Sequence, residues 1–143
     1  MPALGLLAPF AESDMKKESE MMQVNIVALT ELTRLFVPSM VRRKTGHVLN
    51  VASTAAFVPG PYMAVYYATK AYVLSFSEAI ATELKSAGVK VSVLCPGPTK
   101  SGFQVVAGMG NSKLVYGRQL PTSREVAHLG FSVIADVDVD EVP

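Results

Sequence analysis

The chain of 143 residues carries 13 lysines and arginines against 12 acids, a formal charge of +1, with half of its residues hydrophobic and 17% charged. That length is about one domain with room for a core, and a near-neutral balance with scattered rather than striped basic residues gives no support to nucleic-acid binding. A single cysteine, Cys95, excludes an internal disulfide and sets a reducing, cytoplasmic compartment as the default, while two histidines, His47 and His128, are too few and too far apart for a metal site.

The mean hydropathy of +0.32 is high for a free-standing globule and points to a partner or a further layer. Met1 to Phe10 is apolar but short and has no basic leader. No stretch approaches the apolar length that spans a bilayer, so no membrane is expected. From Glu12 to about Arg43 the pattern is helical, with Ser13 or Asp14 as the cap and Leu29, Leu32, Leu35 and Phe36 three and four apart. Pro38 falls inside it, where the lost donor is expected to bend the helix or loosen its last turns. The cluster Arg42, Arg43 and Lys44 sits where cations offset the negative end of the helix dipole.

After Thr45 and Gly46, the run His47 to Ala52 reads as a buried parallel strand. Pro59, Gly60 and Pro61 make a loop, and a second helix is expected from about Met63 to Ser86 with Val73, Phe76, Ile80 and Leu84 on its buried face. Gly88 suits a left-handed cap, and Val89 to Leu94 forms a second strand that stops before Pro96 and Gly97. Helix, strand, helix, strand is the βαβ arrangement of an α/β fold. Beyond Gly97 the chain reads as irregular to about Thr122, followed by a short helix from Ser123 to Ala135. Residues 136–143 alternate acid and valine, which suits an edge strand or a disordered tail.

Tyr66 and Lys70 are four apart at the start of the second helix and share one face. Ser53 closes the preceding strand, and Pro96-Gly97 closes the next. In an open parallel sheet ligands bind outside the carboxyl ends of the strands, where these groups would converge. Tyr67 lies about 100° around the same helix and reads as packing. A serine hydrolase is disfavoured, since Ser53 lacks the Gly-x-Ser-x-Gly turn and no histidine is suitably placed. Cys95 reads as an inert buried thiol. Met63, Phe103, Met109 and Tyr116 read as either pocket lining or core filler.

Asn25, the run Asn50-Val51-Ala52-Ser53, the run Tyr66-Tyr67-Ala68-Thr69-Lys70, and Cys95-Pro96-Gly97-Pro98-Thr99-Lys100-Ser101-Gly102-Phe103 resemble, in order and spacing, the short-chain dehydrogenase/reductase family. The resemblance runs from roughly Gly5 to Ile134. It implies a Rossmann-like, doubly wound fold and an NAD(P)-dependent oxidoreductase of an alcohol/carbonyl pair, with NAD or NADP as cofactor. The residues it assigns are catalytic Asn25, Ser53, Tyr66 and Lys70. Reducing a carbonyl by hydride transfer develops negative charge on oxygen, which calls for a proton donor and a second hydrogen bond, and the resemblance implies Tyr66 as the acid and Ser53 as the orienting donor. A cation must favour phenolate for a phenol to exchange protons near neutrality; about three units amount to about 4 kcal/mol, of which Lys70 is expected to supply part. Lys70 would also hydrogen-bond the nicotinamide ribose, and Asn25 would hold a water linking that lysine to solvent. It further assigns cofactor contacts to Tyr66, Lys70, Pro96, Gly97, Thr99 and Ser101, the last a serine where the family has threonine. Asparagine is a poor helix former, and the alternative to this role for Asn25 is a surface or helix-bending amide.

The strand, Gly-rich turn and helix that receive the pyrophosphate in such folds do not occur in this sequence. Met1 to Gly5 resembles the end of the family's Asn-Asn-Ala-Gly turn. The expectation is therefore one partial Rossmann-like domain over residues 1–143, truncated so that the N-terminal dinucleotide-binding half is missing and the strand at His47 has an open edge. In related enzymes the two long helices, here around Asn25 to Arg43 and Met63 to Ser86, pack against their copies, which implies a homodimer. The alternative is a truncated, non-catalytic relative that serves as a dimerisation or interaction module, since the trio transfers no hydride without a held cofactor.

Overall fold

In the computed structural model, residues 7–102 and 119–135 are described. Asp14 opens the first helix, its carboxylate accepting from the backbone N–H of Lys16 at 3.0 Å and Lys17 at 3.3 Å, as expected of an N-cap. This helix, α1, runs unbroken from Met15 to Arg43. It is α-helical over Met15–Met22 and Leu29–Arg43, but Gln23–Ala28 between them forms a π-helical turn. Pro38 neither ends α1 nor loosens its last turns, which stay helical through Arg43. One missing bond is tolerable there because Pro38 is exposed and water can solvate the freed carbonyl. The irregularity lies instead around Asn25.

The unbroken α1 corrects the expectation that no stretch reaches membrane-spanning length: by length and composition alone this helix is long and apolar enough. Its polar residues from Gln23 to Thr33 interrupt the apolar run but are mostly uncharged, leaving Glu31 and Arg34 as its central charges. The same length and composition are met by helices that pack on a sheet, and α1 is tied to the next helix through Asn25 and Thr30.

After Lys44, whose φ of 55° turns the chain, strand β1 (Gly46–Val51) pairs in parallel with β2 (Val89–Leu94), in the register Gly46↔Val89 to Val51↔Leu94. Helix α2 (Ala64–Leu84) makes the crossover. Gly88 ends it at φ 73°, and a Cβ there would lie 2.4 Å from the carbonyl oxygen of Lys44, so both backbone conformation and space demand glycine. Helix α3 (Ser123–Ala135) begins with a reciprocal cap, the Glu125 carboxylate accepting from Thr122 N–H while the Thr122 hydroxyl accepts from Glu125 N–H.

Alternation along the strands places helices on both faces. Asn50 reaches α2 on one side, while Leu49 and Leu94 meet Gly130 of α3 on the other. Val73 of α2 and Val89 of β2, 0% and 2% exposed, form the centre of the core. Among the described residues the sheet has two strands, and the second edge of β1 is uncovered. The expectations for Phe103, Met109, Tyr116 and residues 136–143 fall outside the described residues.

Candidate active site

Both strands end at the same mouth, and short backbone bonds strap their ends together. Ala52 N–H donates to the Leu94 carbonyl at 2.8 Å, and Thr54 N–H donates to the Pro96 carbonyl at 3.0 Å. Ser53 sits between them in extended conformation. Its hydroxyl caps the short turn Thr54–Phe57 by accepting from Ala55 N–H at 3.1 Å, and lies 3.4 Å from the Pro96 carbonyl.

Tyr66 is on the first turn of α2 and forms a side-chain hydrogen bond with Ser53. Lys70, one turn on, holds its ammonium 5.9 Å from the centre of the Tyr66 ring and donates to the Val51 carbonyl at 3.1 Å. Tyr66, Lys70, Val73 and Ser77 lie along one stripe of α2 facing β1. Its polar members meet the strand in sequence, Tyr66 at Ser53, Lys70 at Val51 and Ser77 at Asn50. Tyr67 packs edge-on against Tyr66 at 5.9 Å and against Gly60, which agrees with a packing role.

The electrostatics differ from the expectation that Lys70 pulls the phenol down. Burial pushes Tyr66 above its ordinary value, the Ser53 hydrogen bond opposes this, and nearby Tyr67 adds to the rise. Burial likewise pushes Lys70 below its ordinary value, with Cys95 opposing. Desolvation is the largest cause at both groups. Cys95 is half-buried and its thiol is raised by burial, which keeps it protonated and agrees with an inert role.

Asn25 is half-buried in the π-helical turn, and its Nδ2 donates to Thr69 Oγ1 at 3.0 Å. It therefore meets the residue before Lys70, and it is not a surface amide. Pro96 offers a carbonyl already taken by Thr54 and Ser53. Gly97 is exposed, with open space where a Cβ would stand. Thr99 donates from Oγ1 to the Gly97 carbonyl at 3.0 Å, and Ser101 lies exposed just beyond. Met63 is 6% exposed and belongs to the core.

Ser77 escaped the sequence reading, and Thr69 and Asn50 entered it only inside quoted runs, with no role of their own. Thr69 and Ser77 are each 1% exposed, and Asn50 is 7% exposed. Their signal was a polar residue at a position that periodicity assigns to the core.

The sequence pattern of the short chain dehydrogenase family matches residues 3–109. Ketoacyl reductase HetN of Nostoc sp. is 38% identical over 106 residues, covering 73% of this chain and 37% of that protein. The very-long-chain 3-oxoacyl-CoA reductase of Rattus norvegicus is 36% identical over 95 residues, covering 66% of this chain and 30% of that protein. A short-chain dehydrogenase from Sphingobium yanoikuyae, solved in complex with NADPH, superposes with a TM-score of 0.77 at 25% identity, over 97% of this chain and 52% of that one. The chain thus spans about a third of the length of these curated relatives and about half of that solved chain. The fold is Rossmann-like, and the chain belongs to the short chain dehydrogenase family.

Proposed function

We propose that these residues form the acid–base half of an NAD(P)-dependent oxidoreductase acting on an alcohol/carbonyl pair. The observation that carries the reading is the hydrogen-bonded Ser53–Tyr66 pair with Lys70 one turn along, at the mouth where both strands end. The donor set there suits the nicotinamide-ribose end of a dinucleotide: an ammonium, the hydroxyls of Thr99 and Ser101, and open space before Gly97 into which a flat ring can come. NAD(P), when bound, supplies or takes the hydride. Tyr66 gives a proton to the carbonyl oxygen, Ser53 holds that oxygen by a second hydrogen bond, and Lys70 holds the ribose. Asn25 serves the proton supply behind Lys70. The keto-acyl reductases among the relatives favour carbonyl reduction as the working direction.

A raised phenol suits a donor that must keep its proton until the carbonyl arrives. The purified chain should be titrated with NADH and NADPH, following nicotinamide fluorescence and calorimetric heat. Saturable binding lost in Lys70→Met is the expected result.

A second reading is favoured by the uncovered apolar face of α1, where Leu32, Leu35 and Phe36 are 54%, 70% and 56% exposed. On it the chain is a dimerisation module, pairing as a homodimer through α1 and α2, without turnover. Silence up to millimolar dinucleotide, together with a dimer in sedimentation, would select that reading over the first.

A further inference from the structure

Three hydroxyls in this fold share one arrangement. Thr69 Oγ1 donates to the Tyr66 carbonyl at 2.8 Å and receives Asn25 Nδ2 at 3.0 Å. Ser77 Oγ donates to the Val73 carbonyl at 2.7 Å and receives Asn50 Nδ2 at 2.9 Å. Thr30 Oγ1 donates to the Ile26 carbonyl at 2.7 Å and stands 2.9 Å from the Tyr72 hydroxyl. A hydroxyl has a single proton. Once that proton is given to a carbonyl, the oxygen can only accept from whatever approaches it. For an incoming carboxamide the consequence is directional: the NH2 must face the hydroxyl, because a flipped amide would set two acceptors against each other.

We infer that Thr69 is a positioning residue for the acid–base site: with its proton held on the Tyr66 carbonyl, it fixes the Asn25 carboxamide with Nδ2 toward α2 and Oδ1 away from it, and fastens the π-helical turn of α1 to the turn carrying Tyr66 and Lys70. The inference rests on the acid–base reading above and adds the residue that sets the polarity of Asn25. At 1% exposure, Thr69 has no water to replace the bond if it is lost. The first turns of α1 also bring Asp14, Lys17 and Met21 to a crevice beside Tyr66, so the seating of α1 governs how far the phenol is covered.

The test uses the full chain labelled with 15N and with 13Cζ-tyrosine, the Asn25 amide assigned through Asn25→Asp and the Tyr66 ring through Tyr66→Phe. Thr69→Val keeps the shape without the hydroxyl, and Thr69→Ser keeps the hydroxyl. In Thr69→Val the Asn25 NH2 protons should exchange with water roughly tenfold faster, the bond that protected them being gone. The Tyr66 titration midpoint should move toward the ordinary phenol value as water reaches the ring. Thr69→Ser should match the parent in both, and in an Asn25→Ala background Thr69→Val should move the midpoint no further.

Unaltered Asn25 exchange in Thr69→Val, loss of protection in Thr69→Ser, or additive shifts in the Asn25→Ala background would each overturn the assignment. If Thr69→Val does not fold, Thr69→Ala is read by the same two signals. Failure of dinucleotide binding would remove the acid–base reading while leaving the amide and phenol signals to decide the role of Thr69.

Discussion

Replacing Ser77 by alanine removes the acceptor of Asn50 Nδ2, in a place where Asn50 is 7% and Ser77 1% exposed. The loss has two parts: about 1 kcal/mol for the hydrogen bond itself, and about 1–2 kcal/mol for leaving a buried amide donor unsatisfied. Ser77→Ala should therefore cost about 2–3 kcal/mol. With a urea slope of about 1.5 kcal/mol/M, the unfolding midpoint followed by circular dichroism should fall by about 1.5 M. Asn50→Leu isolates the pair term, since the double variant leaves no orphan and should cost about 1–2 kcal/mol less than the sum of the singles. A Ser77→Ala midpoint within about 0.3 M of the parent, or strict additivity in the cycle, would refute the claim that this bond pins α2 to β1.

Three further outcomes follow from the same structure. Because burial holds the Tyr66 proton above the ordinary phenol value, between about pH 10 and the folded midpoint the unfolded chain releases a proton that the folded chain keeps, so stability falls as pH rises. Tyr66→Phe should flatten that fall in alkaline unfolding curves, and parallel curves for the two proteins would contradict it. Gly88→Ala, strained at φ 73° and driven against the Lys44 carbonyl, should lose about 1–3 kcal/mol in the same urea assay, whereas an unchanged midpoint would mean that the turn relaxes freely. Asp14→Ala should cost about 1 kcal/mol and speed hydrogen exchange at the Lys16 and Lys17 amides, with Asp14→Asn close to the parent; equal exchange in all three proteins would count against the cap.

The elements were legible because their signals are local. Gly88 and Pro96-Gly97 mark where α2 and β2 end, and the second strand and the last helix fall where their residues place them. Tyr66, Lys70 and Ser53 were legible because helical spacing and the strand-end rule bring them to one mouth. The π-helical turn was not, since nothing in Gln23 to Ala28 distinguishes a hydrogen bond to the fourth residue from one to the fifth. Nor were the partners of Asn25 and Asn50, which lie 44 and 27 residues away and are chosen by packing. The competition between burial and the Ser53 hydrogen bond at the phenol depended on desolvation, which spacing does not report.

The π-helical turn also limits what this chain can lose. A turn bonded to the fifth residue holds one residue more than the same stretch of α-helix, so deleting any one of Gln23 to Ala28 would let the backbone close in ordinary α geometry. Because the wider turn takes up that residue, such a deletion would leave Met15–Met22 nearly in phase with Leu29–Arg43. What would change is the breadth of the turn at Asn25, and with it the approach of the carboxamide to Thr69 on the next helix. The hexamer should thus tolerate the loss of one residue in register but not in reach.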